Sequence, residues 1–238
     1  MNKKNKIKIG ETKLLLKIKF PIIKKQSKTM FTDYFKNHEI KKLHVGCGSN
    51  FFEEWLNTDT KFVKNKIAYL DAGKKFPFSN DCFDYIFSEH IFEHLDFDEA
   101  YNMLAECNRV LKPEGVLRIA TPRLDFLIEL YNDPGKQIHK DYVNWATKRF
   151  LKKIVNNFDE KEYLNVFVIS NFFRSFGHKI IHDKDSLNLM LKKTGFNNIC
   201  EAEVGLSNHP HLIELEKHDR VIPKKFNDLE TMVFEAKK

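Results

Sequence analysis

Cysteine is scarce in this chain, and the few that occur are scattered. Cys47, Cys82, Cys107 and Cys200 are the four in 238 residues, and no C-x-x-C occurs among them. That spacing offers neither a disulfide framework nor a cysteine metal site, and it fits buried thiols in a reducing compartment. No uninterrupted apolar run approaches the roughly 20 residues that cross a bilayer. A Walker lysine is missing, so is the third glycine of G-x-G-x-x-G, and no H-E-x-x-H occurs. Phosphate-cradling NTPases, dinucleotide oxidoreductases and zinc proteases are thereby disfavoured. Internal repeats are absent too.

Acidic residues are rare at the N-terminus. Up to Lys42 there are 13 lysines against Glu11, Asp33 and Glu39, so this segment carries +10 and the remainder −3 of a net +7. The basicity belongs to an arm, about residues 1–40, and specific nucleic-acid binding is not expected. Leu14, Leu15, Leu16, Ile18, Phe20, Ile22 and Ile23 alternate with lysines in the arm, and Pro21 is expected to interrupt any continuous helix. Lys17 and Lys19 split the apolar stretch, and no small-residue cleavage site follows, which fits a secretory signal poorly. Two readings stand: a contact with anionic lipid or an acidic partner, or a tail that folds its apolar residues onto the domain. The resulting expectation is a cytoplasmic protein, peripheral at the inner membrane face if the arm binds lipid.

What is present is one domain's worth of chain. At this length roughly 70–75% of the extended surface can be buried, and 22 phenylalanines supply a core. From residue 41 onward apolar runs and helical periodicities alternate, which predicts a mostly parallel α/β sheet with helices on both faces. The expected strands are Lys42 to Val45, WLNTD ending at Asp59, KIAYLDA ending at Asp71, FDYIFSEH and GVLRIATP. A helix is expected from about Asp98 to Leu111, an insertion of two or three aromatic-rich helices over 124–176, a helix up to Gly195, and closing β-runs at Asn198 to Val204 and Thr231 to Ala236.

In such sheets ligands sit beyond the carboxyl ends of the strands, where strand order reverses. KLHVGCGSN places Gly46 and Gly48 there, with free φ angles and no Cβ to block a close approach. Asp59 is placed to accept both ribose hydroxyls of an adenosine, Asp71 to accept from its adenine amino group, and Ser88 lies on the same rim. Each aspartate alone also reads as a cap or turn residue.

These motifs together resemble class I S-adenosylmethionine-dependent methyltransferases, closely over about residues 40–122 and loosely over 177–238. The chain is similar to a bacterial type-11-like subgroup often found with cell-surface polysaccharide assembly. The resemblance implies a Rossmann-like doubly wound sheet, mostly parallel with an antiparallel C-terminal strand, and S-adenosylmethionine held by Gly46, Cys47, Gly48, Asp59, Thr60, Asp71, Ala72 and Ser88. It implies no metal and an acceptor that is a small molecule or saccharide, methylated on oxygen. His44 stands where many members carry an acid, and Asp59 follows Gly46 by only 13 positions.

Removing a proton from a hydroxyl acceptor calls for a base. His178, His94 and Glu89 are the candidates. For each a bland reading stands alongside: a capping or core-edge histidine for His178, a structural or cofactor-edge role for His94, a loop- or cofactor-ordering role for Glu89. Arg174 and His182 lie near His178, and the spacing of His90 and His94 can suit a metal pair. Phe126, Tyr131, Tyr142, Trp145, Phe150, Phe172 and Phe173 read either as walls of an acceptor pocket or simply as core. The competing functional class is a catalytically inactive nucleoside-binding subunit with a regulatory or assembly role.

Overall fold

The computed structural model describes residues 3–238, with side chains from Phe20 onward except at Asp219. In chain order the helices are α1 (Lys3–Asn37), α2 (Phe97–Val110), α3 (Leu124–Asn132), α4 (Gln137–Phe150), α5 (Lys152–Val155), α6 (Asn165–Arg174), α7 (Lys184–Lys193) and α8 (Lys224–Glu230). The strands are β1 (Lys42–Val45), β2 (Leu56–Asp59), β3 (Ala68–Tyr69), β4 (Phe83–Glu89), β5 (Leu111–Pro122), β6 (Asn197–Ala202) and β7 (Thr231–Lys237).

The seven strands form one sheet in the order β3-β2-β1-β4-β5-β7-β6. β1 pairs parallel with both β2 and β4, and β7 runs antiparallel between β5 and β6. This is the expected Rossmann-like arrangement, and its strand order reverses at β1 and β4. The rim beyond those two strands is therefore where a ligand belongs.

Side chains alternate across the sheet as the strand period requires. Leu43, Val45, Ile86, Leu117, Ile119 and Phe234 point to one face and meet Met103 and Leu104 of α2 and Leu187 of α7. α2 starts cleanly because Asp96 accepts from the Glu99 N–H at 3.0 Å while the Glu99 carboxylate accepts from the Asp96 N–H at 3.1 Å. The opposite face is covered by an aromatic layer in which His44 stacks on Phe52 and packs with Trp55 and Phe87. His44, expected to be an irregularity of the glycine motif, is thus a core ring; burial pushes its pKa down to about 4 and keeps it neutral. On this same face lies Arg118, buried, paired with Glu216 and Glu235 at 2.6 Å each.

Pro21 does not end the N-terminal helix: α1 runs through it. A proline removes one rung of the hydrogen-bond ladder and clashes with one carbonyl, a cost of about 3 kcal/mol that the turns on either side can carry. The later half of α1 docks on the sheet, where Phe31 and Tyr34 are buried, each stabilising by roughly 1.5–3 kcal/mol. The Tyr34 hydroxyl accepts from the Lys42 N–H at 2.7 Å, and Ser27 accepts from the Tyr69 N–H at 2.8 Å, closing the edge strand β3.

The insertion forms four helices, α3 to α6, rather than two or three, because a single-turn α5 separates α4 from α6. Phe126, Leu130, Tyr142, Val168 and Phe172 give it a core of its own, joined by Phe226 of α8. Its helices stand over the carboxyl ends of β4 and β5.

Candidate active site

Two regions meet at the carboxyl rim. The first is the turn after β1, where Gly46 and Gly48 adopt φ of +71° and +55°. A Cβ on Gly46 would lie 2.1 Å from Cγ1 of Ile91, whereas one on Gly48 would meet nothing within 4 Å. Gly46 is glycine because chain packs against it; Gly48 opens onto free space. The Asp59 carboxylate, at the end of β2, accepts from the Gly48 N–H at 3.0 Å and from the Lys61 N–H at 2.7 Å, so it also braces the turn. Thr60 donates to it at 3.3 Å. Three donors leave room on a carboxylate with about four acceptor positions. Asp71 follows β3 and accepts from the Gly73 N–H at 3.1 Å. Ala72 and Cys47 are buried, and burial, then the Asp59 charge, push the Cys47 thiol up to about 12. Ser88, near the end of β4 beside Val45, is buried with its Oγ lacking a protein partner.

The second region is a cavity of about 280 Å³ under the insertion. Tyr142, Trp145, Phe150 and Phe172 wall it, joined by His90, Glu93, His94, His178, His218 and Glu230. Of the aromatic residues expected there, Phe126 is instead in the insertion's core, and Tyr131 and Phe173 are exposed.

The segment after β4 separates the two regions, its Ile91 against Gly46 and its neighbours in the cavity wall. His90 has φ of +51°, a conformation that costs a non-glycine residue about 1–2 kcal/mol. It is held by its N–H to the Ala120 carbonyl at 2.9 Å, by Nδ1 against Glu93 Oε1 at 3.0 Å, and by stacking on His218 at 3.8 Å. Burial disfavours charge on both members of the His90–Glu93 pair, but their mutual bond and attraction prevail, raising the histidine's pKa and lowering the acid's. The other Glu93 oxygen accepts from Thr121 Oγ1 at 3.1 Å. His218 stays neutral: burial, then the neighbouring His90 charge, push it down to about 3.

Of the three expected bases, Glu89 does not enter the cavity as a free group. Its carboxylate accepts from the N–H groups of Lys217 and His218, the shortest at 2.9 Å, and so fixes the turn that carries His218. His94 and His178 do come together, ring centroids 5.1 Å apart. His178 Nδ1 lies 2.8 Å from the Phe172 carbonyl. A carbonyl only accepts, so Nδ1 carries the proton and Nε2 keeps the lone pair. Burial lowers the His178 pKa from its ordinary value, which weakens it as a base. Arg174 is exposed at the end of α6, and His182 is buried against Phe92.

Glu230 was not singled out from the sequence, and the structure makes it prominent. It is buried on the cavity wall, its carboxylate accepts from the Tyr142 hydroxyl, and Oε1 lies 4.0 Å from His218 Nε2. Burial raises its pKa to about 7, against a smaller lowering by Tyr142. No motif marks it, because it reaches the cavity only through β7 pairing antiparallel with β5, where Thr231 opposes Pro122.

Residues 43–119 match a family model described as a methyltransferase domain. No curated protein matches the chain by sequence. Among solved structures it is similar to a SAM-dependent methyltransferase from Archaeoglobus fulgidus, at 18% identity and a TM-score of 0.45, covering 88% of this chain and 90% of that one. An S-adenosylmethionine-dependent methyltransferase from Mesorhizobium loti is similar at 14% identity and a TM-score of 0.48, covering 84% and 91%.

Proposed function

We propose that this S-adenosylmethionine-dependent methyltransferase methylates a hydroxyl oxygen on a small or saccharide-linked acceptor held in the cavity under the insertion. The observation that carries the reading is Glu230: a buried carboxylate with a pKa of about 7 on the wall of an aromatic-lined cavity.

The residues of the rim fit the cofactor. Gly48 leaves open space where any side chain would stand, Ser88 Oγ is buried and unpartnered, Asp59 ends β2 and Asp71 lies just past β3. Gly46, Cys47 and Gly48 would line its approach, Asp59 and Thr60 its ribose, and Asp71 and Ala72 its adenine. When bound, the cofactor supplies an electrophilic methyl group on sulfur. The chain's task is to hold the acceptor in line and to take its proton.

Between the two candidate proton acceptors, basicity decides. Glu230 at about 7 is roughly half ionised at neutral pH, whereas His178 is shifted below its ordinary value. A general base works best with a pKa near the operating pH. Glu230 therefore accepts the hydroxyl proton, with Tyr142 orienting its carboxylate through a donated hydrogen bond. Tyr142, Trp145 and Phe172 offer flat apolar faces that exclude water and suit a ring or the apolar face of a sugar. At about 280 Å³ the cavity sits at the lower end of ligand sites, which run from about 300 to 1,000 Å³. A single ring fits that scale better than an oligomer.

Incubation with methyl-labelled cofactor and a panel of hydroxylated monosaccharides, glycosides and small phenols, followed by locating the label in the product, tests the reading. Label on oxygen supports it; label on nitrogen or carbon overturns it.

Among the described residues no helix is long and apolar enough to cross a membrane. The lysine-rich start of the chain supports a surface role, in which the acceptor is met at an anionic membrane. Co-sedimentation with anionic vesicles should be lost when Lys3, Lys4, Lys6 and Lys8 become glutamine; unchanged binding would remove the arm from that role.

A further inference from the structure

We infer that Glu93, His94 and His178 form a binding site for a divalent transition metal of the zinc class, opening onto the acceptor cavity. The sequence reading expected no metal; besides the alternating His209 and His211, the paired spacing it offers is that of His90 and His94. The fold replaces that pair. His90 is turned to Glu93 and His218, and ligand atoms of Glu93, His94 and His178 lie within 4.8 Å of one another.

The three are held together by the backbone. The Glu93 carbonyl accepts from the N–H groups of Lys179 and Ile180 at 2.8 and 3.2 Å, so the segment leaving His178 is stitched to the turn carrying Glu93 and His94. Gly177 has φ of +84°, and a Cβ there would stand 3.6 Å from His94 Nδ1. Chain direction and close approach thus bring His178 onto His94.

Each ligand also has an outer partner of the kind that orients metal-binding groups. His178 Nδ1 donates to the Phe172 carbonyl at 2.8 Å, which fixes the tautomer whose Nε2 lone pair is available. Glu93 is gripped at both oxygens, by His90 Nδ1 at 3.0 Å and Thr121 Oγ1 at 3.1 Å. Two imidazoles and a carboxylate are the donors that suit zinc and its neighbours rather than calcium or magnesium. Three protein ligands beside a cavity leave a coordination position open, as catalytic rather than structural zinc sites do. Zinc bonds of about 2.0–2.2 Å place tetrahedral ligand atoms about 3.4 Å apart. No pair need close by more than roughly 1.4 Å, within reach of side-chain rotation at His94, which is only half-buried.

A metal there would lower the pKa of a bound hydroxyl. That role rests on the oxygen-methylation reading; the binding site itself does not.

The test is a titration of the full chain, stripped with chelator, with zinc by calorimetry and with cobalt(II) by visible absorption, in the absence of cofactor and acceptor. One equivalent should bind, with the d–d bands of a four- or five-coordinate nitrogen and oxygen site. His178→Ala and Glu93→Gln should each weaken binding about 100-fold or more, and Thr121→Val, which removes only an outer partner, about 10- to 100-fold. His209→Ala, outside the cluster, should bind as wild type does. Should Glu93→Gln fail to fold, His94→Ala gives the same reading from a half-buried position. Absence of stoichiometric binding, or binding that survives the ligand variants, overturns the site. Either result leaves the oxygen-methylation reading standing, because that rests on where the label lands in the product.

Discussion

The nucleoside rim and the acceptor cavity lie on either side of the same short segment, residues 88–94, and are built on opposite principles. At the rim, Asp59 and Asp71 are satisfied by backbone N–H groups two to eleven residues away, and Gly48 faces open space. In the cavity, charges are buried and answered by side chains: His90 by Glu93 three residues on, Glu230 by Tyr142 across 88 residues. A rim made of local backbone can bind a nucleoside with little change of protonation. A cavity made of buried titratable groups can move a proton. On the proposed reading, binding belongs to one region and chemistry to the other.

The largest expected effect breaks the cavity alone. Glu230→Gln keeps the shape and the Tyr142 hydrogen bond but cannot take a proton, so turnover should fall by about 10²- to 10⁴-fold. Steady-state rates at saturating cofactor check this, and an unchanged rate would return the base role to His178. In wild type the rate should rise with pH through about 7, as Glu230 ionises.

Stability should report the same group. The Glu230 carboxyl titrates at about 7 in the fold, above its ordinary value, so the unfolded chain releases this proton first as pH rises. Its contribution is full below about pH 4.5, declines through about 7 and is level above that, a loss of roughly 3 kcal/mol at about 1.4 kcal/mol per pKa unit. Denaturant unfolding at pH 5 and pH 8 should show wild type losing about that much more than Glu230→Gln. Parallel behaviour of the two would mean the carboxylate is not buried in solution.

At the rim, Asp59→Ala should weaken the cofactor by about 1.5–3 kcal/mol, the scale of hydrogen bonds to a charged group, with acceptor KM unchanged. The glycines give the smallest and most discriminating effect. Either alanine variant should cost about 1–2 kcal/mol of stability from its left-handed backbone. Gly46→Ala must also displace Ile91, and so should disturb turnover as well as cofactor binding, whereas Gly48→Ala should touch cofactor binding only. Equal kinetic profiles for the two would show that the 88–94 segment does not couple the regions.

How much of this was legible in sequence follows the same division. The rim is local: Gly46, Gly48, Asp59 and Asp71 sit at the ends of successive β-like runs, and reading the runs was enough to order them. The aromatic walls at Tyr142, Trp145, Phe150 and Phe172 were legible as a stripe, though Phe126 in the same stripe belongs to the core. The charged part of the cavity was not. His218 follows no motif and is placed by Glu89, 129 residues earlier. Glu230 ends a polar helix and comes to the site because β7 lies against β5. Pro21 misled because it was weighed as a helix stop, although a long helix can absorb a single missing donor.

The most direct test of the division is calorimetric titration of S-adenosylmethionine into wild type, Asp59→Ala and Glu230→Gln side by side. The account predicts that Asp59→Ala binds about tenfold or more weakly and that Glu230→Gln binds as wild type does. Full affinity in Asp59→Ala, or an equal loss in Glu230→Gln, would contradict it.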